Sequence, residues 1–385
     1  MVPTKPAFAI VNLMRPLRVL VAPDSFKGTM TAKEAAEAIK EGWLQARPQD
    51  EVITIPMADG GEGTLEIVHD ATPGSEIIPI GMVTGPDGRP TPSHYLKLDG
   101  TTALVELAVS SGITLMKELD PLGATTRGLG ETIRRAIEDG MQHIMVALGG
   151  SASTDAGVGA LQALGLEVTT DDGTPLKPGG GDLHRITGFD TTNLLKPPGG
   201  LTVLVDTRAT FLEAPGMFGP QKGASESEIP LLEKGFQNLL EQVGASGSLK
   251  VAGSGAAGGA GWGLAQFCEA GLEAGAATVA QLNGVANLVQ RCDFVVCGEG
   301  RFDESSFSGK AVGHLLELAG RSGLGAGILA GSFKSPAPNW AFQATVARRR
   351  TDSSPNEDPD FREDLKQAAR QLAQHKIQFR AAESS

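Results

Sequence analysis

The stretch "MVALGGSASTDAGVGALQALG" (Met145–Gly165) carries the architecture in miniature. It opens on an unbroken apolar run, which is how a strand covered on both faces reads. Small or acidic residues follow from Gly149 to Asp155, and then Val158, Leu161 and Leu164 return at helical spacing. Strand, small-residue loop and helix in that order form a βα unit, and repeated units of this kind build parallel sheets.

The pattern recurs along the chain. Continuous apolar runs stand at "LRVLVAP" (17–23), "VITIPMA" (52–58), "HIMVALGG" (143–150), "LTVLVD" (201–206), "DFVVCGEG" (293–300) and "GILAGS" (327–332). Helical patterns lie between them. Thr31-x-x-Glu34 is a capping box that opens "TAKEAAEAIKEGWLQARP", with Ala36, Ile39 and Trp43 on one face. Leu129, Ile133, Ala136 and Ile137 repeat the spacing and stop at Gly140, and Leu282, Val285, Leu288 and Val289 precede the run at Asp293. The alternation predicts an α/β fold. A last strand is expected at "AFQATVA" (341–347), and "RRRTDSSPNEDPDFRED" (348–364) reads as a charged surface loop before a final helix. The segments 169–190 and 196–202 are rich in turn residues and read as connections.

Composition removes several classes of partner. Lys and Arg number 33 against 45 Asp and Glu, a net charge of −12. That balance repels nucleic-acid phosphates and anionic membrane surfaces, so neither is expected as a partner. An anionic substrate must instead be captured locally. Cys268, Cys292 and Cys297 lack metal-ligand or C-x-x-C spacing and read as reduced, buried thiols. The first residues, 1–16, read as an extension and not as a secretory signal, and no run reaches membrane-spanning length. A cytoplasmic protein is expected.

The loops at the strand ends hold the chemistry. In open parallel sheets ligands bind beyond the carboxyl ends of the strands, where helix N-termini offer free N–H groups to anions. Here those ends read "APDSFKG" (22–28), "ADGGEGT" (58–64), "GGSASTDAG" (149–157), "VDTRAT" (205–210), "FGPQKGAS" (218–225), "GSGAAGGAG" (253–261) and "GEGRFDESSFSGK" (298–310). Small residues let backbone approach phosphate, hydroxyls add donors, and scattered carboxylates suit Mg2+, so the set points to phosphoryl transfer from a nucleotide. Each loop alone has an ordinary explanation. Asp155 could serve only as an N-cap, a role asparagine fills about as well. "GSGAAG" (253–258) matches G-x-G-x-x-G, but the acid at the required offset, Glu273, falls inside an expected helix. "FSGKA" (307–311) ends like a P-loop without its first glycine.

Taken in order, "VLVAPDSFKGTMTAKEAAEAI", "PMADGGEGT", "GPDGRP", "ELAVSSGI", "TTRGLGETI", "ALGGSASTDAGVGALQALG", "FGPQKGAS", "GAAGGAGWGL" and "CGEGRFDESSFSGKAVG" resemble the type I glycerate kinase family from about Leu17 to Ser332. The resemblance implies a kinase that uses ATP and Mg2+ to phosphorylate D-glycerate, with 2-phosphoglycerate favoured as product. It also implies two α/β domains. One is Rossmann- or flavodoxin-like, with a parallel sheet drawn from both chain ends (17–70 and 290–385); the other is inserted between them (71–289). The segment "VDTRATFLEAPGM" (205–217) departs from the family pattern, and only Asp206 carries over there. The pattern also fades after Ser332.

On that reading Arg301 is a fork for the glycerate carboxylate, and Asp206 or Asp303 accepts the proton of the attacking hydroxyl. Lys27, Lys222 and Lys310 neutralise phosphate charge, and Gly149, Gly150, Ser151, Ser153, Gly255 and Gly258 form the nucleotide loops. Asp24, Asp59, Glu62 and Asp155 are the metal candidates. Two rival readings remain at this point. One is a nicotinamide-dependent Rossmann oxidoreductase, which would use "GSGAAG"; the other is a ligand-binding relative without turnover.

Overall fold

The continuous apolar runs are strands, and they pair in parallel. The computed structural model describes residues 15–244, 251–307, 309–346 and 359–382. Its strands in chain order are β1 (Arg18–Val21), β2 (Glu51–Thr54), β3 (Glu76–Thr84), β4 (Pro90–Lys97), β5 (Thr102–Glu106), β6 (His143–Ala147), β7 (Glu167–Thr170), β8 (Ile186–Asp190), β9 (Leu201–Val205), β10 (Gly271–Ala274), β11 (Phe294–Glu299), β12 (Gly325–Ala330) and β13 (Ala341–Thr345). The chain divides into two compact units, Met1–Ala58 with Val279–Ser385, and Asp59–Thr278. The helix Thr64–Ala71 therefore belongs to the contiguous unit. The expected extension lies outside the described residues save for Arg15 and Pro16, as do Ala347, the last residue of the expected final strand, and 348–358 of the charged segment.

The first unit carries an all-parallel five-stranded sheet in the order β13-β12-β11-β1-β2. Every residue of β11 is buried, which is why its sequence shows no polar alternation. The capping box forms as expected: Thr31 accepts from the Glu34 N–H at 3.2 Å, and Glu34 accepts from the Thr31 N–H at 3.0 Å. The helix it starts, Ala32–Ala46, and the final helix, Pro359–Ala382, share one core through Ile39, Trp43, Phe361, Leu365 and Leu372. Asp50 locks β1 to the end of that first helix. Its carboxylate accepts from the Leu17 N–H at 3.0 Å, the Trp43 indole N–H at 2.9 Å and the buried Arg47 guanidinium.

The order of this sheet reverses between β1 and β11. The chain runs from β1 to β2 on one side and from β11 to β12 on the other, so the loops after β1 and β11 start together. Such a switch point is where open α/β sheets bind ligands.

The second unit holds a six-stranded sheet, β10-β9-β6-β5-β4-β3, in which β10, β9, β6 and β5 are parallel while β4 runs antiparallel to both of its neighbours, β5 and β3. A separate hairpin pairs β7 with β8 around the turn-rich segment. Stacking of Phe211 on Phe236 and on Trp262, with centroids 4.5 and 4.2 Å apart, fills the core beside this sheet. Glu273 corrects an expectation: it lies on β10 and not in a helix, because the four residues of that strand pair with β9. Among the described residues no helix is long and apolar enough to cross a membrane.

Candidate active site

In the second unit, strand register gathers three chain segments. Glu106, the last residue of β5, pairs with Ala147 of β6, which pairs with Leu204 of β9. The segments that follow, Gly149–Asp155 and Asp206 onward, therefore leave the sheet side by side. The loop before the helix Thr64–Ala71 closes on them. Gly149 donates its N–H to the Gly60 carbonyl at 3.0 Å, and a Cβ on Gly149 would stand 2.2 Å from the Gly61 Cα. Only glycine permits that approach. It brings Glu62, which is exposed, to within 4.0 Å of where a Gly150 side chain would begin. Asp59 is buried and accepts from the Gly61 N–H at 3.2 Å.

Asp155 is 1% exposed and committed within its own unit. One carboxylate oxygen accepts from the Thr126 N–H and hydroxyl, both at 2.8 Å, and from the Gly159 N–H at 3.3 Å. The other accepts from the Gly157 N–H at 3.1 Å. This is more than a cap. Thr126 begins the helix Arg127–Glu138 and Gly157 begins Val158–Ala163, so a single carboxylate joins two helix N-termini.

Lys222 is 3% exposed. Its ammonium donates to the Ser151 hydroxyl at 2.8 Å and to the Ser153 carbonyl. Burial pushes its pKa down to about 7, against the opposing pull of the charges on Asp155 and Asp206. Below pH 7 this lysine is charged in the folded and unfolded states alike, so the full cost of burying charge opposes folding. Between about 7 and its ordinary 10.5 the folded protein holds it neutral while the unfolded chain holds it protonated, and stability rises with pH. The melting temperature of the parent should therefore climb relative to that of Lys222→Met between pH 6 and 9, by the equivalent of roughly 2 kcal/mol or more. Parallel profiles would remove Lys222 from the account.

Beside this lysine the Ser153 and Thr154 hydroxyls are fully buried and have no hydrogen-bond partner, as is also true of Ser110. Gly258 packs on the same loop: a Cβ there would stand 2.2 Å from the Ser153 carbonyl oxygen and 3.0 Å from the Lys222 ammonium. Its carbonyl accepts from the Ala156 N–H at 3.0 Å, while the Gly255 N–H is used by the Ala209 carbonyl at 2.9 Å. Ala156 and Ala257 are both left-handed, with φ of 55° and 53°, so the backbone is strained where these two loops join.

The first unit gathers the remaining candidates at its switch point. Asp24 donates its N–H to the Gly298 carbonyl at 2.9 Å, and its half-buried carboxylate accepts from the Ser25 N–H at 2.6 Å. Lys27 is exposed. Arg301, with a side chain 64% exposed, pairs with Asp303 at 3.0 Å. The Ser305 hydroxyl, then the Ser305 N–H, Lys310 and Arg301 hold the Asp303 carboxyl below its ordinary pKa. Lys310 stands at the start of the helix Ala311–Arg321, which has no side-chain cap.

Sequence reasoning did not single out Glu106. This carboxylate is 4% exposed and accepts from the Gly63 and Leu65 N–H groups at 2.9 and 2.8 Å, capping a helix whose own N-cap is a glycine. Burial pushes its pKa up, and Glu62 and Glu66 add to the rise. An acid closing the apolar run "TALVE" was the available signal. Thr126 and Ser111 were missed in the same way; the Ser111 hydroxyl accepts from the Leu129 N–H at 3.2 Å.

Comparison with known proteins bears on these loops together. The model of the glycerate kinase family matches residues 19–380. The chain is 37% identical over 305 residues to a glycerate kinase of Bacillus subtilis (strain 168), covering 76% of this chain and 79% of that one. It is 36% identical over 306 residues to the glycerate 2-kinase of Escherichia coli (strain K12), covering 76% and 80%. The crystal structure of a chain assigned as glycerate kinase 2 in Salmonella typhimurium LT2 superimposes with a TM-score of 0.75 at 30% identity, over 96% of this chain and 100% of that one.

Proposed function

Because this chain belongs to the glycerate kinase family, we propose that it transfers the terminal phosphoryl group of ATP to a hydroxyl of D-glycerate, with 2-phosphoglycerate as product. The observation that carries the nucleotide half of this reading is the Gly149–Asp155 loop. Buried hydroxyls are nearly always bonded, yet those of Ser153 and Thr154 are not, in a glycine-rich segment at a parallel strand end. A phosphate offers the acceptors they lack, and because both side chains are fully buried the loop must part to admit it.

The residues divide by chemistry. Arg301 is exposed and steered by Asp303, which suits a bidentate grip on the glycerate carboxylate. Asp206, half-buried at the end of β9, is assigned the proton of the attacking hydroxyl. Asp303 suits that task less, because its donors favour the ionised form and weaken it as a proton acceptor. Lys27 and Lys310 lie at the other set of strand ends and are assigned to phosphate charge. Mg2+ takes one or two carboxylates and completes its shell with phosphate oxygens and water, and Glu62 with Asp59 or Asp206 fits that need. Asp24 belongs to the same chemical class. Among the described residues no three His, Cys, Asp or Glu side chains gather as a self-sufficient metal centre. When bound with the nucleotide, the ion supplies charge neutralisation at the transferring phosphoryl group. Asp155 is left out of the metal set because its oxygens already serve five donors. A cytoplasmic enzyme without nucleic-acid or membrane partners completes the reading.

Incubation with ATP, Mg2+ and D-glycerate, followed by phosphorus NMR, tests it. The expected product is a phosphomonoester whose phosphorus couples to one methine proton. Coupling to two methylene protons would place the phosphate on the terminal hydroxyl instead. Folded protein that forms no glycerate-dependent ADP would be a relative without turnover.

A further inference from the structure

We propose that Lys222 is a positioning residue, a strut that fixes the Ser151–Ser153 segment from inside the second unit and does not itself touch phosphate. The proposal rests on the reading of Gly149–Asp155 as the phosphate loop. A lysine that neutralises phosphate keeps its ammonium where the ligand arrives. Here the amine is turned into the protein: the residue is 3% exposed, and Nζ is spent on the Ser151 hydroxyl and the Ser153 carbonyl. Gly258 walls it in, close enough that a Cβ at that position would stand 3.0 Å from Nζ.

The two acceptors flank Ala152, whose own N–H is held by the Ser111 carbonyl at 3.1 Å. Three successive residues are thus pinned by groups of the protein, and the hydroxyls of Ser153 and Thr154 remain without a partner. The strut holds in either protonation state, since a neutral amine still has two N–H groups for two acceptors. The charged groups that face it are Asp155 and Asp206. A larger head group has no room, so arginine should not replace it, although arginine keeps the charge.

The test is ADP binding by calorimetry over a range of ionic strength, with melting temperature as the control for folding. A cation that touches phosphate contributes a salt-screened attraction, whereas a buried strut acts through loop geometry and leaves the salt dependence alone. Lys222→Met is expected to weaken ADP binding about tenfold or more, with the parent's dependence on ionic strength. Lys222→Arg should not restore affinity, and adding Ser151→Ala to Lys222→Met should cost little more, because both remove one interaction. A flattened salt dependence, or recovery in the arginine variant, would make Lys222 a phosphate contact and overturn the proposal. Parental ADP affinity in Lys222→Met would overturn it too, reducing the lysine to a support of the fold. If Lys222→Met does not fold, Lys222→Gln, which is uncharged and keeps a donor, decides: weaker binding with unchanged salt dependence supports the strut, and a flattened salt dependence or parental binding overturns it. A parent that binds no ADP and phosphorylates no glycerate overturns the kinase reading, and this proposal with it.

Discussion

Asp206→Asn is expected to lower glycerate-dependent turnover by about 10²–10⁴-fold, which raises the barrier by roughly 3–5 kcal/mol, while the melting temperature stays near that of the parent. The exchange preserves shape and hydrogen-bonding reach but removes the basic oxygen. Asp303→Asn is the informative contrast. Its carboxylate already accepts from the Ser305 N–H at 2.9 Å and from Arg301 at 3.0 Å, and its pKa lies below the ordinary value. Its loss should loosen Arg301, appear mainly as a higher KM for glycerate, and change kcat by less than about tenfold. The reverse ranking of the two variants, by steady-state kinetics at saturating ATP, would exchange their roles.

Asp155→Ala is expected to destabilise the second unit by about 3–5 kcal/mol, because it strands the donors of Thr126, Gly157 and Gly159 in a buried site. For a unit of this size that corresponds to a melting temperature lower by roughly 10 °C. Asp155→Asn should also destabilise, by about 1–3 kcal/mol, because its amide must turn an N–H toward the Gly157 N–H. This differs from the behaviour of a simple N-cap, where asparagine serves about as well as aspartate. An asparagine variant with the parent's melting curve and a greatly reduced kcat would instead return Asp155 to the metal set.

These contrasts also show where sequence reading stops. The six strands read from continuous apolar runs are all present: burial on both faces removes polar alternation, as in β11, which is buried throughout, while β2, at the sheet edge, keeps Val52 and Ile53 only partly buried. β3 was invisible because "EIIPIGMVT" carries Pro79 and Gly81 and exposes several apolar side chains, so neither continuity nor clean alternation survives. β10 was hidden by its four residues set between helices. The left-handed turn at Ala257, Gly258 and Gly259 lies in an Ala- and Gly-rich segment that carries little periodic signal.

The candidate residues followed the same division. Strand-end loops were legible as places; what each side chain does there was not. Glu106 reaches Gly63 and Leu65 across 43 and 41 positions, a pairing that no local motif encodes. Lys222, in "FGPQKGAS", has the sequence of a solvated turn, and only the packing of Ser151, Ser153 and Gly258 around it makes it a buried amine.

The drawing of one sheet from both chain ends bears on how the protein is made. β1 must find β11, and the bond from the Arg18 N–H to Asp293 spans 275 residues. At about 5–20 residues per second, a ribosome delivers that partner roughly 15–60 s after β1 itself. Until then β1 and β2 have no neighbour on one edge, a surface open to pairing with other nascent chains. The segment Asp59–Thr278 contains every strand of its own sheet and can close without waiting. A chain cut short before Phe294 therefore loses the core partner of its earliest strand, and holdase chaperones should meet this protein at its N-terminal edge.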